Sequence, residues 1–221
     1  MTNTILSLQN VNKHYSRGIE TVHALADVNV VIEKGEFIAI IGHSGSGKTT
    51  LLNIVGGLDH PTSGTVNVLG NDISKADEKT LARIRKQSIG FVFQQFFLIP
   101  TLSVRENVAL PGLFLHKPVA QSKVDELLRR VGLSHRLDHL PGQLSGGEMQ
   151  RVAVARSLVN DAPLILADEP TGNLDSKNAN GIMELFDELH KDGRTIVVVT
   201  HNADLVERST RVIHIEDGRI K

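Results

Sequence analysis

The sequence predicts an α/β fold in which a mostly parallel core sheet is flanked by helices and carries an antiparallel β flank. Three observations lead there. Continuous apolar runs at Phe37–Ile41, Ile89–Phe93, Leu164–Ala167 and Thr195–Thr200 have the character of parallel strands buried on both faces. Helix-like segments separate several of these runs, the alternation expected of a parallel sheet. The first run leads straight into Gly42-His43-Ser44-Gly45-Ser46-Gly47-Lys48-Thr49 and then a helical pattern, and open α/β sheets hold ligands at such strand ends.

Each element has its own local signal. Ile5–Val11 and Val28–Glu33 alternate apolar and polar residues as half-buried strands do, and Lys34-Gly35 is a turn, so these strands form the antiparallel flank. After the glycine loop a helix spans Lys48–Val55. Pro61–Gly64 is turn chemistry, Thr65–Leu69 a short strand, and Glu78–Gln87 a charged helix with Leu81 and Ile84 on one face. From about 95 to 160 strand signals are few, and Val104–Val108, Lys123–Val131 and Glu148–Val159 read as helices. That stretch is expected to be a helical lobe, 95–160, inserted into a core made of 1–94 and 161–221, all within one domain. A helix over Lys177–His190 stops near Gly193, and Arg211–Glu216 with Asp217-Gly218 ends the chain as strand and turn. There is no internal repeat or low-complexity segment.

Composition narrows the function classes. With 221 residues, 40% apolar and 22% charged, the chain can bury one substantial core. A net charge of −1 gives no electrostatic footprint for nucleic acid, so no such partner is expected. The absence of cysteine excludes disulfide and thiol chemistry. Met1–Val11 shows no secretory signal, and the least charged stretch, Ser88–Val104, falls short of the ~20 apolar residues that span a bilayer.

The glycine loop matches a phosphate cradle. Gly42, Gly45 and Gly47 let backbone N–H groups close around phosphate oxygens, Lys48 supplies a point charge, and Thr49 offers a hydroxyl to Mg²⁺. The helix behind the loop aims its positive end at the anion. The strand Leu164–Ala167 ends in Asp168 and Glu169: the first is the candidate Mg²⁺ carboxylate, directly or through water, and the second the candidate base for an attacking water. Leu144-Ser145-Gly146-Gly147-Glu148-Met149-Gln150-Arg151 begins as a serine-capped helix. Its Ser-Gly-Gly also opens the backbone at that helix N-terminus, which makes a second anion site far along the chain from the first. His135 and His139 lack the further ligands of a metal site, and the remaining histidines outside the motifs are scattered.

Taken together these strings resemble the ATP-binding-cassette (ABC) ATPases, over essentially the whole chain and in the family's order. Besides the phosphate loop they comprise Gln94 (Q-loop), Leu144–Gln150 (signature), Ile165–Glu169 (acidic strand), Asn173-Leu174-Asp175 (D-loop) and His201 (switch histidine). The resemblance implies a P-loop NTPase fold of the ABC ATPase type. It also implies hydrolysis of ATP with Mg²⁺ as cofactor, Glu169, His201 and Lys48 being catalytic. Nucleotide contacts would come from Tyr15, stacked on adenine, and from Gly42, His43, Ser44, Gly45, Ser46, Gly47, Lys48, Thr49, Thr50 and Gln94. Thr49, Gln94 and Asp168 would hold the metal, and His201 would bond the γ-phosphate.

The family also implies a head-to-tail homodimer formed on ATP binding. Ser145, Gly146, Gly147 and Glu148 of one copy would then face the ATP of the other, and Asn173, Leu174 and Asp175 would lie at the dimer contact. Within the family, Gly90–Leu102 and Asp168–Asp175 most resemble the macrolide-exporter and lipoprotein-release branch. That branch implies a cytoplasmic subunit, peripheral on the membrane through a separate integral-membrane permease docked near the Q-loop and helical lobe, with a periplasmic adaptor reached through the permease. A non-transporting cell-division regulator of similar build is the main alternative. Soluble DNA-repair or translation ABC proteins would need coiled coils, zinc modules or tandem cassettes, and a P-loop small-molecule kinase would lack the Ser-Gly-Gly signature. Two positions depart from the usual pattern: His43 replaces a frequent proline, and Glu148 replaces glutamine. The Glu148 charge is expected to weaken closure on the γ-phosphate unless the carboxylate points away or caps its own helix.

Overall fold

A computed structural model describes residues 3–18, 20–115 and 119–221. Positions 1, 2, 19 and 116–118 lie outside the described residues; they include the start of the segment read for a secretory signal and a few positions of the 95–160 stretch. In chain order the strands are β1 (Thr4–Arg17), β2 (Glu20–Glu33), β3 (Phe37–Ile41), β4 (Ser63–Val68), β5 (Asn71–Asp72), β6 (Ile89–Phe93), β7 (Leu164–Asp168), β8 (Thr195–Val199), β9 (Arg211–Glu216) and β10 (Arg219–Ile220). The α-helices are α1 (Lys48–Val55), α2 (Glu78–Ser88), α3 (Val104–Ala109), α4 (Gln121–Arg130), α5 (Gly146–Leu158), α6 (Ser176–Lys191) and α7 (Ala203–Arg208).

Successive residues of a strand point to opposite faces, and in the apolar runs this decides the layers. Ile38 and Ile40 of β3, Leu164 and Leu166 of β7, and Val197 and Val199 of β8 join one core cluster. Phe37, Ala39, Ile165, Ala167, Ile196 and Val198 join a second on the other face. Because both faces are covered, the strands read as unbroken apolar runs. The sheet order is β10-β9-β3-β8-β7-β6. All pairings are parallel except that of β10 with β9. A separate antiparallel sheet, β2-β1-β4-β5, faces the first cluster, and α1 fills the space between the sheets with Leu51, Leu52, Ile54 and Val55. The helices of the 95–160 stretch lie between β6 and β7, and α3, α4 and α5 share the second cluster with α6.

The sequence pattern and the structure differ mainly in the flank. β1 and β2 form one hairpin that runs far beyond Ile5–Val11 and Val28–Glu33. Register shifts at Leu8/Val11, Val11/Lys13 and Lys13/His14 break the two-residue alternation, and Asn10 and Asp27 adopt left-handed φ angles of 50° and 52°. The outer end of β2, Glu20–His23, is exposed, so it carries no apolar face to detect. The short elements β5, β10, α7 and the 3₁₀ turns Leu110–Phe114 and Pro141–Gln143 are too brief to establish a period. The other helices and strands fall within two residues of their expected ends.

Phe186 of α6 is fully buried against Phe37 of β3, ring centroids 6.4 Å apart. Phe186→Ala therefore costs about 3–5 kcal/mol through lost burial and the cavity left behind. The shift of the urea unfolding midpoint at unchanged slope measures it.

Candidate functional site

Four parallel strands deliver the site. In register, Ile40 of β3 lies opposite Val199 of β8, Val199 opposite Asp168 of β7, and Asp168 opposite Phe93 of β6. The residues that follow these four positions therefore emerge at one level. They include the glycine loop, Glu169, Gln94 and His201, all of which line one cleft of about 610 Å³.

In the loop, Gly47 adopts φ 106° as the N-cap of α1, and a Cβ there would meet Ala24 O at 2.4 Å. Both demands exclude any other residue. Lys48 Nζ folds back to donate to Gly42 O at 2.8 Å and His43 O at 2.9 Å, so its charge is held over the concavity it would serve. Ser46 is buried with its hydroxyl unpartnered among the described residues. His43 is exposed, its Nε2 3.6 Å from Asp217, and its carbonyl accepts from Ser46 N–H at 3.2 Å. The turn at Gly218 braces the loop through Gly218 N–H to Ser46 O at 2.9 Å.

Across the cleft, Thr49 Oγ1 donates to Asp168 Oδ2 at 3.2 Å. Burial pushes the Asp168 carboxyl up from its ordinary range and the Glu169 charge adds to this, against the opposing hydrogen bond from Thr49. A hydroxyl and a carboxylate beside Lys48 form a hard-oxygen donor set, which fits Mg²⁺. Among the described residues no group of three or more His, Cys, Asp or Glu could hold a metal ion.

Glu169 takes φ 45°, a left-handed angle that a non-glycine residue adopts at a cost on the order of 1–3 kcal/mol. Glu169 N–H donates to Val199 O at 2.9 Å, which fixes the turn. The side chain is 18% exposed, with Oε1 2.9 Å from His201 Nδ1, and the His201 backbone N–H donates to Oε2 at 3.3 Å. A carboxylate and an imidazole are thus coupled at the mouth of the cleft.

Tyr15 does not line this cleft. Its hydroxyl donates to Asp59 Oδ2 at 2.6 Å, and Lys13 Nζ lies 4.7 Å from the ring centroid while donating to Asp59 Oδ1 at 2.6 Å. Burial opposes ionisation of Asp59, yet the hydrogen bonds from Lys13, Tyr15 and His60 outweigh it and hold the carboxyl low. Burial and the same Asp59 contact raise the phenol. The β2 residues Val22, His23 and Ala24 form part of the cleft wall. The sequence gives no sign of them, because only the pairing of β2 with β1 carries them there.

The helix N-terminus read as a second anion site lies elsewhere: none of Ser145, Gly146, Gly147 or Glu148 lines the cleft. Ser145 caps α5, its Oγ accepting from Glu148 N–H at 3.3 Å, while the Glu148 carboxylate accepts from Ser145 N–H at 2.8 Å and Ser145 Oγ at 2.9 Å. Glu148 Oε1 also takes a bond from Arg136 Nε at 3.1 Å, and Arg136 contacts His139 Nε2 at 3.0 Å. The capping exception is therefore the one observed, and the Glu148 carboxylate is paired with Arg136 within the chain. Arg136 was invisible in the sequence, since its partner is twelve positions away across a turn. A Cβ on Gly147 would strike Asn178 Oδ1 at 2.1 Å, so this glycine also serves packing. Asp175 of the D-loop caps α6 and holds that same Asn178 through Nδ2 at 2.8 Å. Leu174 approaches the ideal Cβ position of Gly146 to 3.7 Å, and Asn173 pairs with Gln94. The D-loop thus touches both the signature and the Q-loop.

The chain is similar to known proteins along most of its length. The ABC transporter family model matches residues 25–172. The chain is 49% identical over 219 residues to an uncharacterized ABC transporter ATP-binding protein of Thermotoga maritima, covering 98% of this chain and 94% of that one. It is 47% identical over 222 residues to the macrolide export ATP-binding/permease protein MacB of Hyphomonas neptunium, spanning all of this chain but only 34% of that relative. Among solved structures, the ATP-binding cassette MJ0796, a dimer in a post-hydrolysis state bound to ADP and Pi, superposes with a TM-score of 0.91. It is 45% identical, with 98% of this chain and 96% of that one covered.

The hydrogen bond from Ser145 N–H holds the Glu148 carboxyl below its ordinary value of 4.5 against the effect of burial, with Ser145 Oγ and Arg136 adding to the depression. A depressed acid stabilises the fold above its unfolded value and loses that contribution as pH falls through the folded one. The wild type should exceed Glu148→Gln by roughly 0.3–1 kcal/mol at neutral pH. That margin closes as the pH drops below 4.5, which urea titrations across the acid range would read.

Proposed function

Because the chain belongs to the ABC transporter family, and is by that membership an ATP-binding ATPase, we propose that it works as a Mg²⁺-dependent motor in which two copies complete each other's sites. The observation that carries this reading is a separation. The phosphate loop, acidic pair, Gln94 and His201 share one cleft, whereas the equally well-formed helix N-terminus at Ser145–Glu148 stands outside it. A Ser-Gly-Gly helix N-terminus that lies outside its own chain's cleft is what a head-to-tail dimer would bring to the neighbouring γ-phosphate, the Ser145–Glu148 cap opening to receive it.

In this reading the glycine loop's N–H groups and Lys48 hold the β- and γ-phosphates, with Tyr15 stacking on adenine from its Asp59-anchored position. Thr49, Asp168 and Gln94 hold Mg²⁺, which when bound neutralises charge developing on the phosphates. Glu169, oriented by its left-handed turn, takes the proton from the attacking water, and His201 bonds the γ-phosphate. Ser145 and the N–H groups of Gly147 and Glu148 from the second copy close the far side, and Asn173–Asp175 lie at the contact between copies. Hydrolysis then waits on closure.

Closure needs something to move. Among the described residues no helix is long and apolar enough to cross a membrane. A groove of about 630 Å³ opens between α2, β6, the segment after Gln94 and α5. It is lined by Leu58, Phe91, Phe97, Pro111 and Phe114 with Arg85, Lys86 and Arg156 at hand, and it is our candidate seat for an integral-membrane permease. Residues 95–160 act as the lobe that this partner rides, and the chain lies at the inner face of the membrane through it. MacB carries ATP-binding and permease functions under one name while this chain spans about a third of it. That relative's name supports a macrolide-export role, and the Gly90–Leu102 and Asp168–Asp175 strings support the wider macrolide-export or lipoprotein-release branch, with an adaptor beyond the membrane.

Glu169→Gln should retain ATP binding, read by fluorescent-nucleotide titration, while turnover falls about 10²–10⁴-fold; undiminished turnover removes Glu169 as the base. Turnover of the wild type should rise more steeply than linearly with protein concentration, and Ser145→Ala should depress it further without changing nucleotide affinity in dilute protein. A linear rate indifferent to Ser145 would refute the shared site.

A further inference from the structure

Two carboxamides meet where the segment after β6 passes the turn after β7. Asn173 Nδ2 donates to the backbone carbonyl of Gln94 at 3.0 Å, and Gln94 Nε2 donates to Asn173 Oδ1 at 3.2 Å. A backbone carbonyl can only accept, so the end of Asn173 that faces it must be the amino group. Asn173 therefore turns its oxygen to the Gln94 side chain, and an oxygen there can be met only by Nε2. One invariant acceptor thus fixes the orientation of both amides, a choice the side-chain shapes alone leave open. The end of the Gln94 amide not bonded to Asn173 is its carbonyl Oε1, and Gln94 is among the residues lining the cleft.

That end is the one a hard divalent cation takes, since an amide NH₂ offers it no lone pair. The surroundings hold the arrangement. A Cβ on Gly172 would come within 2.9 Å of Gln94 Nε2, so the chain leaves that space clear. The turn carrying Asn173 is closed by Gly172 N–H to Glu169 O at 3.0 Å and Leu174 N–H to Thr171 O at 3.1 Å. Gln150, fully buried in α5, pins both neighbouring backbones by donating to Phe93 O at 3.3 Å and Pro170 O at 2.7 Å.

We infer that Asn173 is a positioning residue that presents the Gln94 carbonyl oxygen to the nucleotide-bound metal, so that a D-loop residue sets metal affinity. The inference rests on the reading above that Gln94 reaches the metal. Its role is that of an outer-shell partner orienting a ligand: without Asn173 the amide can flip and offer NH₂ instead.

The test is Mn²⁺ binding followed by electron paramagnetic resonance, with the protein saturated by the nonhydrolysable analogue AMP-PNP. Asn173→Ala should weaken Mn²⁺ about fivefold, the loss expected of one hydrogen bond. Nucleotide affinity measured in EDTA should not change, which separates orientation from general damage to the fold. Gln94→Ala should lose at least as much, and the double variant no more than Gln94→Ala alone. Wild-type Mn²⁺ affinity in Asn173→Ala, together with a loss in Gln94→Ala, overturns the inference and spares the metal role of Gln94. So do additive losses, or a parallel loss of nucleotide in EDTA. Full Mn²⁺ affinity in Gln94→Ala removes both.

Discussion

The parallel register of β3, β8, β7 and β6 is the constraint on which the rest depends. It puts Ile40, Val199, Asp168 and Phe93 side by side, so that four separate stretches of chain release their polar residues at one height. A slip of one residue would turn the apolar residues of the slipped strand to the opposite face and move its polar end residue along the sheet. The same alternation that seals the two core clusters therefore aligns the cleft. Burial enforces the chemistry, because the register that closes both core clusters is also the one that brings Thr49 to Asp168 and Glu169 to His201.

Polar bonds then attach the helical stretch to those strand ends. Gln150 bridges the backbones just before Gln94 and just after Glu169, and Arg156 donates to Phe97 O at 2.6 Å and Phe96 O at 2.8 Å. These are long-range contacts to loops rather than to the sheet's interior. Displacing α5 must strain or exchange them, so a partner seated on the groove beside Phe97 would act on the same backbones that present Gln94 and Glu169. Carbonyl acceptors suit this task, since each bond is specific in direction yet on the order of 1 kcal/mol, weak enough to be remade.

The electrostatics of the second anion site follow from a different economy. Glu148 lies at the positive end of α5, where a carboxylate is stabilising, and Arg136 meets its outer oxygen. The helix end is thereby capped internally, which keeps α5 well started while its Ser-Gly-Gly backbone stays close-packed against Asn178 and Leu174. The negative charge at this position is engaged by its own neighbours, Ser145 and Arg136.

What the sequence determined by itself is whatever depends on neighbours along the chain. The apolar runs identified both-face burial, Gly42–Thr49 carried its loop in eight consecutive residues, and Ser145 with Glu148 held its own cap. The family followed from the order of such local strings. Tertiary structure alone decided the contacts that join distant positions: Arg136 to Glu148 across a turn, Tyr15 to Asp59, Asn173 to Gln94, Val22–Ala24 on the cleft wall, and a hairpin whose bulges erase its alternation. Periodicity reports which face of an element is buried. It is silent on which side chain from another element arrives there, and hydrogen-bond partners are fixed only when packing sets the distances.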